Sequence, residues 1–430
     1  MKKVTDPQAF LRGLFDTAVE AASPAGKISL DQIDAPEGRT VVIAAGKAAA
    51  SMAQEVERNW TGNLEGIALT RYEHGLDLQK IRVIEAGHPV PDEDGEKAAA
   101  EILELARSLT EKDLLIFLVS GGGSALLSLP AEGLILDDKK AINKALLKSG
   151  ASISEINTVR KKLSAIKGGR LAVEAWPAKT VTYMISDVPG DDPSVIASGP
   201  TVSDETTCAE ALAILERYSI HMPSTVREHL QSAKAEPPVG AHPAFAAGWQ
   251  NMIATPQDAL QAAAGKAREA GVEPLVLGDS IEGESKDVAA VMAGITRQIL
   301  DHDEPVQKPC VILSGGETTV TVSSAGEGAG RGGRNAEFLL AFAECFGSHP
   351  QVYALAADTD GIDGTEDNAG AVFTPQTHDR AEKLGLDLSD FLRRHDAYRF
   401  FDALEDLIMT GPTRTNVNDF RAILILPEAG

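Results

Sequence analysis

The sequence predicts an α/β protein built as two lobes of helix-covered sheet. Two observations carry this. Apolar runs such as VVIAAG, LLIFLVS and CVILSGG are hydrophobic on both faces and alternate with segments of helical spacing, the pattern of strands buried between helices in a parallel sheet. A Pro-, Gly- and Ala-rich stretch at 233–248 separates two such series, which places a linker there and a division into residues 1–240 and 241–430.

The elements follow in order. Phe10, Leu11, Leu14, Phe15, Val19 and Ala22 recur at helical spacing and predict a helix over 7–22. Strands are expected at 41–46, 66–70, 81–87 and 181–187 and in the apolar run 114–124 that ends in glycines, with helices from Lys47 and over 94–108 and 156–172. After the linker come helix 256–270, strand 274–278, helix 285–301, strands 310–316 and 318–322, helix 336–346, and the strand stretches 352–364 and 421–427. The last strand is left open to return to the first lobe. Ligands in such folds sit beyond the carboxyl ends of strands, where this chain gathers glycines, serines and acids.

The 430 residues carry a formal net charge of −23 and a pI near 4.8. That field repels nucleic acid and anionic membranes, so neither is an expected partner. It repels anionic metabolites as well, so any anion site must be assembled locally from Lys, Arg or backbone amides. Three scattered cysteines fit a reducing cytoplasm, and no apolar run long enough for membrane insertion occurs.

Six stretches carry chemistry. Gly46-Lys47 follows a strand and precedes an Ala-rich helix; a cation there opposes the helix dipole unless an anion lies between. Ser120-Gly121-Gly122-Gly123-Ser124 follows the next buried strand, and three glycines free the backbone to wrap an anion. INTVRKKLSAIKGGRLA concentrates Asn157, Arg160, Lys161, Lys162, Lys167 and Arg170 in an otherwise acidic chain. A continuous helix would bring Arg160 and Lys167 to one face.

Asp187 ends a strand in MISDVPGDDPSVIASGPT, suited to hold Mg²⁺ or accept a hydroxyl proton; Asp191 and Asp192 read equally as turn formers. Asp358, Asp360 and Asp363 resemble a calcium loop, but the EF-hand pattern fails. In the last stretch Glu317 ends a strand, and Asn335 is expected to N-cap a helix with Arg334 immediately outside it. His74 and His88 read as structural or substrate-lining; no zinc spacing is present.

These stretches, with AAGKAAASMA, RYEHG, AGHPVPD, VSGGGSALL, SGGETTV, GRGGRN and AADTDGIDG, span most of the chain in order. Together they resemble the class II glycerate kinases, or glycerate 2-kinases, with a C-terminal MOFRL domain. The resemblance implies a Rossmann-like N-terminal domain, a smaller α/β MOFRL-type C-terminal domain and an active site in the cleft between lobes. It also implies ATP-dependent phosphorylation of D-glycerate to 2-phosphoglycerate with Mg²⁺ or another divalent cation. By motif position, the family's lysine falls on Lys47, its arginine on Arg334 and its strand-end acid on Asp187. Lys162 stands where the family often has histidine, and Ala336 where it often has glutamine.

On this reading Lys47 and Arg334 neutralise the transferring phosphoryl group, and Asp187 is base or metal ligand, with Asp358 and Asp360 as further metal candidates. The Ser120–Ser124 loop, Asn157, Arg160, Lys167, Glu317 and Asn335 orient glycerate or phosphates. The rival is an NAD(P)H-dependent hydroxypyruvate reductase using Gly328-x-Gly330-x-x-Gly333, although no acid lies the required distance beyond it. A third class, a non-catalytic sensor, does not account for Lys47, Asp187 and Arg334 together.

Overall fold

The structure, a computed structural model, describes residues 4–238, 240–322 and 330–428. Its contacts divide the chain into two compact units, residues 24–253 and residues 1–23 with 254–430.

The 24–253 unit holds a six-stranded sheet of β1 (Thr40–Ala45), β2 (Leu64–Arg71), β3 (Ile81–Ala86), β4 (Leu114–Val119), β5 (Lys179–Ile185) and β6 (Trp249–Ala254). Their order is β3-β2-β1-β4-β5-β6, and the four pairs among β1 to β5 are parallel. This is the Rossmann order, which reverses between β1 and β4. All six residues of each of those strands are buried.

Helix Glu93–Arg107 shows how sequence sets the packing. Asp92 caps it by accepting from the Gly95 N–H at 2.9 Å, three acids occupy its first turn where the dipole favours them, and Ile102 and Leu103 enter the core with Ile43 and Phe117. Truncating Phe117 to alanine would cost about 3–5 kcal/mol. A second core, around Ile142, Leu146, Val159, Leu215 and Val226, sits among helices Leu136–Ser149, Ile153–Lys162, Cys208–Arg217 and Ser224–Leu230.

The helix expected over 156–172 is interrupted. It runs Ile153–Lys162, turns through Gly168 and Gly169 at φ +59° and +81°, and restarts at Arg170. Two consecutive left-handed residues cannot continue a right-handed helix.

The other unit contains β7 (Glu273–Gly278), β8 (Gly283–Glu284), β9 (Cys310–Ser314), β10 (Thr318–Thr319), β11 (Val352–Asp358), β12 (Gly370–Phe373), β13 (Leu407–Ile408) and β14 (Asp419–Ile425). Its main sheet is ordered β13-β12-β11-β14-β9-β7; only β7-β9 is parallel. Every residue of β14 is buried, so a strand apolar on both faces reports coverage and not direction. β14 pairs with β11 and β9 inside this unit.

Helix Pro7–Ala22, capped by Asp6, belongs here too, because Lys266 Nζ reaches the Gly13 carbonyl and Thr17 Oγ1, both at 2.9 Å. By contacts, then, the 240/241 division lies within the 24–253 unit, whose edge strand β6 begins directly after the stretch expected as linker. No helix among the described residues is long and apolar enough to cross a membrane.

Candidate active site

At the switch point of the 24–253 unit, β1 and β4 deliver the two glycine motifs side by side. Gly46 has φ +124°, and a Cβ there would lie 2.3 Å from Ser120 Oγ, so only glycine lets the loops approach. Ser120 is fully buried and its Oγ accepts from the Ala48 N–H at 2.9 Å. Ser120 thus braces the corner from inside; it is not a surface donor. Lys47 donates its N–H to the Gly121 carbonyl at 2.8 Å. Helix Ala49–Asn59 begins two residues later than expected, leaving Lys47 in the connecting turn. Gly122, at φ +82°, lies against Lys47 Cγ and His88 Nε2, at 3.2 and 3.1 Å from its would-be Cβ. The Gly121 and Gly122 N–H groups have no acceptor among the described residues.

From this corner a chain of side chains runs outward. Ser124 Oγ meets Ser198 Oγ at 2.8 Å, and Ser198 donates to Asn157 Oδ1 at 3.3 Å. The preceding residue, Ala197, accepts from Lys167 Nζ at 3.2 Å. Ala197, Ser198 and Gly199 all have positive φ, +50°, +61° and +59°. Two non-glycine residues held left-handed cost roughly 1–2 kcal/mol each, and such strain concentrates at functional sites. The sequence reading passed over Ser198, which lies in a motif noted for Asp187.

The basic cluster splits in two. Lys161 and Lys162 both face buried Asp204, and Lys162 also reaches Thr206 Oγ1 at 2.7 Å. That half shares a carboxylate of its own. Arg160 and Lys167 have no carboxylate within ion-pair distance among the described residues; Arg160 Nε donates to Asn143 Oδ1 at 2.6 Å. Burial, reinforced by Lys139 and Arg160, pulls Lys167 well below the usual lysine range. Burial brings Lys139 down to about 7, against some support from Glu96. Lys139, on helix Leu136–Ser149, lies outside every motif noted in the sequence.

Asp187 follows β5 by two residues, half-buried at the same carboxyl edge. Asp192 is a turn former, its Oδ1 accepting from the Ser194 N–H at 2.8 Å.

In the other unit, Arg334 is clasped by three carboxylates: Nε to Asp419 at 2.7 Å, Nη1 to Glu317 at 2.6 Å and Nη2 to Asp358 at 2.9 Å. Burial opposes its charge, but Asp419, Asp358 and Glu317 outweigh burial and hold the guanidinium well above its usual range. Gly333, not Asn335, precedes the helix, which runs Arg334–Phe346. Its first amides are already used: Asp363 accepts from Asn335 N at 2.9 Å and Ala336 N at 2.8 Å. Burial raises Asp363 to about 6 against those bonds.

Asn335 is itself buried and donates Nδ2 to Asp363 at 3.3 Å and to Asp419 at 2.8 Å. The helix N-terminus beside Arg334 therefore faces an internal carboxylate. Asp358 Oδ1 and Asp360 Oδ1 accept from the Asp360 and Ile362 amides at 3.0 and 2.8 Å, so both close turns. Among the described residues no three His, Cys, Asp or Glu side chains gather as a metal nest. Asp419 escaped the sequence reading, yet Asp419 and Arg421, two apart on one strand, share a face and pair at 2.5 Å.

A family model described as a domain of unknown function (DUF4147) matches residues 10–231, and the MOFRL family matches 310–419. A glycerate 2-kinase of Pyrococcus horikoshii is 38% identical, covering 97% of both chains. A D-glycerate 2-kinase of Thermotoga maritima is 37% identical over 96% of this chain and 94% of its own. The chain belongs to the glycerate kinase family. The crystal structure of a Thermotoga maritima glycerate kinase superimposes with a TM-score of 0.84 at 35% identity, covering 98% of this chain and all of that one. An Agrobacterium vitis relative, 50% identical over 96% of this chain and 94% of its own, is provisionally named a hydroxypyruvate reductase.

Proposed function

We propose that this member of the glycerate kinase family transfers the γ-phosphoryl group of ATP to the 2-hydroxyl of D-glycerate. The observation that carries this is the switch-point corner of the 24–253 unit. There the Gly121 and Gly122 amides lie beside Lys47, and Arg160 and Lys167, which have no carboxylate within ion-pair distance among the described residues, stand near, a grouping suited to an anion in a strongly acidic chain.

In the reaction the substrate oxygen bonds to the γ-phosphorus, the bond to ADP breaks and the hydroxyl gives up its proton. Such a transfer asks for positioning and charge neutralisation more than covalent help. Lys47 supplies a cation beside the amide-lined loop. Asp187, at the carboxyl edge of the sheet, is the residue for the proton or for the metal. A divalent cation keeps several waters and needs one or two carboxylates beyond the phosphates, so Asp187 fits without a three-ligand nest; bound there, it would neutralise phosphate charge. Arg334 is the second cation assigned to transfer, its orientation fixed by three carboxylates.

The reductase name on the Agrobacterium vitis relative gives the rival its standing. Its fingerprint glycines serve packing. A Cβ on Gly330 would lie 2.6 Å from the Arg394 carbonyl, and one on Gly333 would lie 2.3 Å from Asp363; Gly328 lies outside the described residues. The helix amides that would hold a pyrophosphate are taken by Asp363. Two parallel assays decide between them: ADP release from ATP, Mg²⁺ and D-glycerate, and NADH or NADPH oxidation with hydroxypyruvate. Nucleotide oxidation without ADP release would overturn the kinase reading.

A further inference from the structure

We propose that Lys139, Arg160 and Lys167 form one pocket for the carboxylate of the acceptor, with Lys139 as a substrate-binding residue that selects acid acceptors over neutral polyols.

The three cations come from three separate places: helix Leu136–Ser149, helix Ile153–Lys162 and the turn before Arg170. A series of contacts joins them. Lys139 and Asn143 are four apart on one helix, hence on one face, and Asn143 Oδ1 takes Arg160 Nε at 2.6 Å. Arg160 and Asn157 are three apart on the next helix. Asn157 holds Ser198, and the carbonyl beside Ser198 takes Lys167 Nζ at 3.2 Å. Lys139 Nζ binds the Leu129 carbonyl at 3.1 Å, an acceptor it shares with Ser164 Oγ.

Lys167 is 2% exposed, and none of the three has a carboxylate within ion-pair distance among the described residues. Neutral carbonyls and an amide are poor compensation for three gathered like charges withdrawn from water. Lys161 and Lys162, in the same stretch of sequence, have Asp204. The fold therefore gives two of these cations a shared carboxylate and leaves three, among the described residues, for an external anion.

A carboxylate is favoured over a polyphosphate by position. The amides of Gly121 and Gly122 beside Lys47 already offer a phosphate cradle, and the Ser124–Ser198–Asn157 series leads from that cradle to the three cations. An acceptor whose hydroxyl is one carbon from its carboxylate suits an anion pocket that is separate from the phosphates. This inference rests on the proposed glycerate reading for the identity of the acid.

The test uses the full chain with Lys139→Met, which keeps the aliphatic stem, and Lys139→Arg, which keeps the charge. D-Glycerate and ATP are titrated separately by calorimetry, and KM is measured for each. Lys139→Met is expected to weaken D-glycerate binding and raise its KM roughly 10- to 100-fold, with ATP binding changed less than about twofold, and Lys139→Arg to restore most of the loss. Weakened ATP binding with D-glycerate unaffected would assign the pocket to nucleotide phosphate and overturn the proposal. No change in either would make the cluster structural and overturn it too. If wild-type protein binds D-glycerate in a Lys139-dependent way yet phosphorylates nothing, the pocket stands and the kinase reading fails.

Discussion

Lys139, Arg160 and Lys167 hydrogen-bond to carbonyls and an amide, whereas Arg334 and Arg421 ion-pair with carboxylates. Both groups are withdrawn from water, and both belong to a chain with a large excess of acid. The first group is destabilising until an anion arrives. The second is complete within the fold and acts as a brace that fixes one guanidinium. Burial of a cation is therefore no guide to its role; the charge of its neighbours is.

Asp419→Ala should give the largest effect. It strands Arg334 and Arg421 in the interior, and breaking a buried pair costs about 3–5 kcal/mol, readable by urea unfolding. Stability within about 0.5 kcal/mol of wild type, the scatter of a surface change, would remove the distinction between brace and pocket. Lys47→Ala should leave a folded protein whose kcat falls roughly 10²–10³-fold, the usual loss of one transition-state charge contact; near-wild-type turnover would cancel the assignment.

Lys167→Met sharpens the contrast. Replacing an uncompensated buried cation by an apolar side chain should leave unfolding free energy unchanged or raise it by up to about 2 kcal/mol. A loss comparable with Asp419→Ala would show that Lys167 is structural.

The pocket also predicts a pH slope. Lys139 is depressed to about 7, and Lys162 and Lys167 are depressed as well. The unfolded chain therefore holds more protons than the folded chain from about pH 7 upward. Stability of the ligand-free protein should rise between about pH 7 and 9, and Lys139→Met should flatten that rise. The smallest effect belongs to Glu317→Gln: Glu317 is half-exposed, and losing its bond to Arg334 should cost about 1 kcal/mol or less by thermal melting.

Much of this was legible in sequence because strands and glycine corners are local. VVIAAGK and LLIFLVSGGGS announce buried strands that end in turns, and the structure sets them on neighbouring strands. Partnership was not legible. Nothing local separates Lys162, which meets Asp204 forty-two residues on, from Lys167, which meets a carbonyl. Nor does anything local show that Asp363, twenty-eight residues on, takes the amide of Asn335. Lys139 carried no motif, because a cation's neighbours are set by tertiary packing. Direction failed similarly in the second sheet, where coverage of both faces makes antiparallel β14 read like a parallel strand.

The most direct test of the account is a phosphorus NMR spectrum of purified protein incubated with ATP, Mg²⁺ and D-glycerate. The account predicts the 2-phosphoglycerate resonance growing as ATP is consumed. A 3-phosphoglycerate resonance, or unchanged ATP beside NAD(P)H-dependent consumption of hydroxypyruvate, would contradict it.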